Sequence, residues 1–277
     1  MGRLDGKVVF ITGVARGQGR SHAIRFAEEG ADIIGIDVVE PIAGSTSPPA
    51  TQADMDETVA AVEALDRRII ATKADVRNLE QVKKAVDEGV AQLGRLDVVI
   101  ANAGVSTSMG PAESITEEAF VDMIDINLTG VWRTCVAAIP HLKAGGRGGS
   151  IILTSSAAGL MGMGNIAHYV SAKHGVVGLM RTLALELATE KIRVNSIHPT
   201  TVDTPMVNNE ATFKLFRPDI DNPGVDDFLD AAKLMNAIPV GWVESVDISN
   251  AMVWLASDEA RFVTGVPLPV DAGMLIK

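Results

Sequence analysis

The chain has 277 residues, 47% of them hydrophobic, which is enough apolar material to bury one substantial core or two small ones. Its formal charge is −11, with lysine and arginine scattered; this argues against a nucleic-acid backbone or an anionic membrane surface as partner, since both require a basic stripe. Cys135 is the only cysteine, so an intrachain disulfide and a cysteine-rich zinc site are excluded and a reducing compartment is implied.

In chain order, residues 1–7 lack the length and cleavage site of a signal peptide, and no apolar segment reaches the ~18 residues that span a bilayer. The expectation is a soluble, cytoplasmic protein with no membrane partner. Short apolar runs then alternate with longer amphipathic ones. Val8–Thr12, Asp32–Asp37, Ile69–Ala74, Val98–Ala101, Ser150–Thr154 and Arg193–His198 read as strands, and the segments near 18–29, 53–66, 78–93, 116–142, 167–189 and 245–256 read as helices. This alternation predicts an α/β fold. Right-handed crossovers leave few arrangements besides a single-domain, Rossmann-like, doubly wound parallel sheet with helices on both faces. No linker divides residues 1–277. Three stretches break the rhythm: Val38–Ala53, which holds Pro41, Pro48 and Pro49; Ala144–Gly149; and an insertion over about 204–240, rich in proline and in apolar residues.

The run Thr12-Gly13-Val14-Ala15-Arg16-Gly17-Gln18-Gly19 follows a predicted strand and opens a predicted helix. In that context glycines permit a tight turn and close approach of the backbone to a pyrophosphate, whose charge meets the helix N-terminus. Asp37 ends the second predicted strand, eighteen residues after Gly19, where a carboxylate hydrogen-bonds adenosine ribose hydroxyls and repels a 2′-phosphate. Downstream, Tyr169 and Lys173 are four residues apart, so a helix stacks them on one face. An ammonium so placed favours phenolate and lowers the tyrosine pKa towards the range useful for proton transfer. Ser156 precedes Tyr169 by thirteen residues, and of the adjacent Ser155 and Ser156 only one can face the site. His168 is turned about 100° from Tyr169 and reads as a packing or interface residue, with substrate contact as the alternative. No His/Asp/Glu group has metal-ligand spacing.

The spacing Gly-x-x-x-Gly-x-Gly, joined to Tyr-x-x-x-Lys, resembles the classical short-chain dehydrogenase/reductase family over nearly the whole chain, from Lys7 to Gly273. Asp37-Val38-Val39-Glu40-Pro41 and the insertion behind it look most like the actinobacterial carveol-dehydrogenase-like subgroup, coupled to the redox cofactor mycofactocin. The resemblance implies Tyr169 as general acid/base and Ser156 as the group orienting the substrate oxygen. Lys173 then tunes the tyrosine and binds the nicotinamide ribose, and Asn127 supports a water-linked proton relay. The implied cofactor contacts are Gly13, Ala15, Arg16, Gly17, Gln18 and Gly19 in the loop, with Asp37. Asp75 and Val76 lie beside the adenine, Asn102, Ala103 and Gly104 after the fourth strand, and Pro199, Val202 and Thr204 near the carboxamide, joined by Tyr169 and Lys173. In similar enzymes a basic residue at the place of Arg16 supports NADP. A buried like-charge clash at Asp37 outweighs an arginine free to turn to water, so NAD is expected. The chain departs from the family at Ala101, commonly Asn, and at Thr200, commonly Gly.

The expected activity is hydride transfer between an apolar, terpenoid-like secondary alcohol such as carveol and NAD, giving the ketone. A 3-oxoacyl or steroid reductase and a non-catalytic NAD-binding regulator are the alternatives. The resemblance further implies a homotetramer built on helices 116–142 and 167–189, NAD held tightly beneath the 38–53 insertion, and mycofactocin as external acceptor.

Overall fold

The computed structural model describes residues 2–277. Its strands are β1 (Val8–Thr12), β2 (Asp32–Asp37), β3 (Ile69–Lys73), β4 (Val98–Ala101), β5 (Gly149–Thr154), β6 (Ile192–Pro199) and β7 (Pro267–Val270). All pair in parallel, in the order β3-β2-β1-β4-β5-β6-β7. The helices are α1 (Gly17–Glu28), α2 (Gln52–Glu63), α3 (Leu79–Leu93), α4 (Glu117–Ile124), α5 (Gly130–Gly145), α6 (Ala167–Leu187), α7 (Glu210–Phe216), α8 (Val225–Lys233) and α9 (Ser245–Ala256).

The central strands are apolar throughout because both faces of the sheet are covered. In β1, Val8 and Phe10 point into one core with Val86 of α3, Cys135 of α5 and Met180 of α6. Val9 and Ile11, on the alternate face, join Phe26 of α1 and Met252 of α9 in the other. Each such fully buried side chain contributes about 1.5–3 kcal/mol. Local capping sets the helix starts. Asn78 accepts from the N–H groups of Glu80 and Gln81 at the head of α3, and Thr116 accepts from Ala119 N–H at the head of α4.

Three features differ from the sequence expectation. β7 reads poorly as a strand because Pro267 and Pro269 cannot donate to a ladder; it forms at the sheet edge, where only β6 is its neighbour. The predicted helix 116–142 divides into α4 and α5 at a π-helical turn, Asp125–Thr129, and runs on to Gly145, where Gly146 takes the left-handed conformation (φ 62°). The 204–240 insertion holds α7 and α8, each too short for a clear 3.6-residue period. Among the described residues no helix is long and apolar enough to cross a membrane.

Candidate active site

The strand order reverses between β1 and β4, and the crevice there opens into a cleft of about 360 Å³ at the carboxyl edge of the sheet. Thr12 stitches its floor. The Thr12 hydroxyl oxygen accepts from the backbone N–H groups of Asn102 and Ala103 at 3.0 Å, and its carbonyl accepts from the Asn102 side-chain amide at 3.0 Å. Gly13 has φ 72°, and a Cβ on it would come within 3.0 Å of the Ala103 Cα. Arg16 begins α1 with no side-chain cap, and no acidic residue occupies the first turn. The N–H groups of that turn are therefore open to an anion, and a glycine cradle around them fits a diphosphate.

Asp37 lines the same cleft at the end of β2. Its Oδ2 accepts from Ala15 N–H at 3.0 Å and its Oδ1 from Val39 N–H at 3.2 Å, which fixes the carboxylate in place. Ala15 itself does not line the cleft: it is fully buried and contributes through that N–H, so its expected cofactor contact is indirect. Arg16 is occupied as well. Its guanidinium donates to the carbonyls of Pro48 and Pro49, which ties the 38–53 insertion to the glycine loop. The insertion then crosses the cleft: Ser45 bridges Thr107 in antiparallel fashion, and Thr46 N–H donates to the Ser106 carbonyl at 3.0 Å. Ile42, Pro48 and Pro49 face the cleft from above it.

Asp75 and Val76 line the cleft, the Asp75 carboxylate being paired with Arg77 at 2.6 Å. Gln18, Asn102, Ala103, Gly104, Pro199, Val202 and Thr204 line it too. A Cβ at Gly104 would lie 3.2 Å from the Asn127 Oδ1, a tight approach that the amide would have to yield to by a few tenths of an ångström.

Ser156, just beyond β5, and Tyr169 and Lys173, in the first turns of α6, converge on this cleft. Lys173 is 4% exposed, its ammonium donates to the Thr154 carbonyl at 2.9 Å, and it lies 5.6 Å from the centroid of the Tyr169 ring. Burial pulls its pKa down to about 8. Ser155 turns its hydroxyl to the Lys173 carbonyl at 3.0 Å, which leaves Ser156 as the serine that faces the phenol. The expected lowering of the tyrosine pKa by Lys173 is not seen in the protein alone. Desolvation raises the phenol's pKa, opposed by the Ser156 hydroxyl, while the lysine ammonium is directed at Thr154.

Asn127 lies in the π-helical turn, fully buried, with its amide spent on Val105: Oδ1 accepts from Val105 N–H and Nδ2 donates to Val105 O, both at 2.9 Å. The side chain holds the loop after β4 and is engaged there rather than with the Lys173 ammonium. His168 is buried, its Nε2 2.9 Å from the Thr107 hydroxyl, which is a packing role. Cys135 is buried and its thiol is pushed up to about 12 by desolvation. The three aromatic side chains of the 204–240 insertion, Phe213, Phe216 and Phe228, pack on one another and none lines the cleft. Phe228 stacks against Phe213, Phe216 and Trp242 with centroids 5.4, 4.8 and 5.8 Å apart. From that insertion, Thr204, Pro205, Met206 and Val207 line the cleft, as does Val105. Sequence reasoning missed Val105 and the floor residue Thr12, because their roles lie in contacts between distant segments.

The chain matches a family model described as enoyl-(acyl carrier protein) reductase over residues 13–275. It is 57% identical to a short-chain type dehydrogenase/reductase of Mycolicibacterium smegmatis, across 100% of this chain and 99% of that one. A (−)-trans-carveol dehydrogenase of Rhodococcus erythropolis is 54% identical over 100% of both. The crystal structure of carveol dehydrogenase from Mycobacterium avium in complex with NAD superposes with a TM-score of 0.99, at 57% identity over 100% of both chains.

Proposed function

Because the chain belongs to the short-chain dehydrogenase/reductase family, we propose that it oxidises an apolar, terpenoid-like secondary alcohol of the carveol kind to its ketone, with NAD as cofactor. The observation that carries this reading is the convergence of Ser156, Tyr169 and Lys173 on the cleft that also holds the glycine cradle and Asp37. When bound, NAD supplies the hydride acceptor and a positive charge beside the phenol. Ser156 holds the alcohol oxygen by its hydroxyl, and Tyr169 Oη takes the alcohol proton. The phenolate form of Tyr169 is the base and becomes the phenol on taking this proton. The positive charges of Lys173 and of the bound cofactor favour that phenolate beforehand, against the desolvation that raises the phenol's pKa in the protein alone. Lys173 also donates to the nicotinamide ribose, and Asp37 accepts from the adenosine ribose hydroxyls. Val105, Met206 and Val207 supply an apolar wall suited to a hydrocarbon ring. The net charge of −11 disfavours an acyl-carrier substrate, which would dock on a basic patch.

A panel of secondary alcohols including trans-carveol, assayed with NAD with and without an artificial acceptor, tests the proposal. Turnover of carveol or a similar apolar alcohol is expected. Preference for a 3-oxoacyl thioester or a steroid over every terpenoid would sink the substrate reading. Asp37→Ala is expected to weaken NAD by roughly tenfold to a hundredfold, the worth of hydrogen bonds to a charged group, and to admit NADP. Wild-type protein that binds NADP more tightly than NAD in direct titration contradicts the role given to Asp37.

The same reading extends to retention of the cofactor. The second half of the 38–53 insertion is held from two directions, by Arg16 at Pro48 and Pro49 and by Ser106 and Thr107 at Ser45 and Thr46. Its three prolines reduce the entropy lost on ordering it. NAD is therefore expected to survive purification, and turnover to depend on an external electron acceptor such as mycofactocin. Purified protein without nucleotide absorbance, reducing a large excess of added NAD stoichiometrically with substrate, rules this out. Assembly as a homotetramer belongs to the same proposal, supported by Phe120, Val121, Trp132 and Leu185, which are large, apolar and exposed on α4, α5 and α6. A single monomeric species at micromolar concentration in analytical ultracentrifugation would count against it.

A further inference from the structure

His198 is fully buried near the end of β6, one residue before Pro199, and no step above uses it. Its Nδ1 lies 2.7 Å from the carbonyl oxygen of Ser156, and its Nε2 lies 2.8 Å from the hydroxyl oxygen of Ser196. A carbonyl oxygen can only accept, so Nδ1 carries a proton and donates it. Burial pulls the imidazole down to about 4, the bond to Ser156 opposing this and the Lys173 charge adding to it. A neutral ring with its proton on Nδ1 leaves Nε2 as an acceptor, and the buried Ser196 hydroxyl is the donor that holds this tautomer.

The place of this contact matters. The β5–β6 register ends at Thr154 opposite Ile197, with a last backbone bond from Ser155 N–H to the Ile197 carbonyl at 2.9 Å. Pro199 has no N–H with which to continue the ladder. The His198 side chain supplies the cross-strand tie where the backbone stops, and it does so at the residue whose hydroxyl faces Tyr169. Ser156 is extended there (φ −168°, ψ 164°), and a 3-10 turn, Ala157–Gly159, follows at once. Without the tie, the peptide after Ser156 is held on one side only.

We propose that His198 is a positioning residue: its Nδ1–H holds the Ser156 carbonyl and thereby aims the Ser156 hydroxyl at Tyr169 and the substrate oxygen. This rests on the reading of Ser156 and Tyr169 given above, and the test separates the two. Tyr169 is the only tyrosine of the chain, so tyrosinate absorbance after a rapid pH jump titrates it alone, with no substrate needed. An asparagine amide overlays the Nδ1 position and a glutamine amide the Nε2 position. His198→Asn therefore keeps the donor to Ser156, and His198→Gln loses it.

His198→Gln is expected to move the Tyr169 titration upward, to where Ser156→Ala places it, and to lower kcat by about 10²-fold, as a small misplacement of a reacting group does. NAD affinity stays at the wild-type value, and His198→Asn titrates and turns over like wild type. If His198→Gln matches wild type while Ser156→Ala shifts both readouts, the positioning role is wrong. If Ser156→Ala changes neither, the reading of the site itself fails and the proposal falls with it. Should His198→Gln not fold, nitrogen chemical shifts of the wild-type imidazole decide: a proton on Nδ1 and a bare Nε2 are required, and the opposite tautomer overturns the assignment.

Discussion

Tyr169→Phe is expected to bind NAD with wild-type affinity and to lose alcohol turnover by more than the ~10²–10⁴-fold usually contributed by a general acid–base group. The substitution removes the oxygen that takes the alcohol proton and leaves the ring that packs 5.6 Å from the Lys173 ammonium. The loss should exceed the usual range because the polar groups around the phenol are already engaged: the Ser156 hydroxyl accepts from Ala158 N–H, Ser155 donates to the Lys173 carbonyl, Lys173 donates to the Thr154 carbonyl, and the Asn127 amide pairs with Val105. Direct NAD titration and single-turnover kinetics on the same preparation check it. A variant that keeps a substantial part of wild-type turnover overturns the assignment of Tyr169 as the proton acceptor.

Gly19→Ala is the second large effect. A Cβ at Gly19 would stand 1.8 Å from the Gly13 carbonyl oxygen and 3.1 Å from the Asn102 side-chain nitrogen, so the loop has to open at the turn proposed to hold the diphosphate. The atom in the way is backbone and cannot rotate aside. Overpacking of this kind costs about 1–3 kcal/mol or more of stability, and NAD binding is expected to fall below detection in direct titration. Gly162→Ala is the control, because a Cβ there meets nothing within 4 Å; it should melt and bind like wild type. Wild-type NAD affinity in Gly19→Ala would mean that the cofactor does not rest on this turn.

Local patterns carried much of this structure. The alternation of apolar runs with amphipathic stretches was enough to locate six of the seven strands, since a strand buried on both faces reads as a continuous apolar run. β7 escaped because Pro267 and Pro269 speak against a strand, and an edge position is a property of the whole sheet. The division of α4 from α5 escaped because a π-helical turn hardly changes the apolar period on either side of it. In the site, the i, i+4 spacing of Tyr169 and Lys173 and the strand-to-helix setting of Gly13, Gly17 and Gly19 are local facts, so the chain order already held them.

By itself, then, the sequence determined the order of elements, the glycine turn between β1 and α1 and the serine, tyrosine and lysine brought to the sheet edge, because each depends on backbone period and on neighbours a few residues away. Only the tertiary structure decided what the remaining polar groups do. Arg16 proved to hold Pro48 and Pro49, Ala15 to brace Asp37, Asn127 to clamp Val105 and His198 to reach Ser156. Packing also decided that Phe213, Phe216 and Phe228 pack together with Trp242, and that desolvation raises the Tyr169 pKa in the protein alone. Most of these are interactions between residues far apart in the chain, where the partner of a hydrogen bond and the amount of water around a charge are set by how distant segments pack, and no local pattern records them.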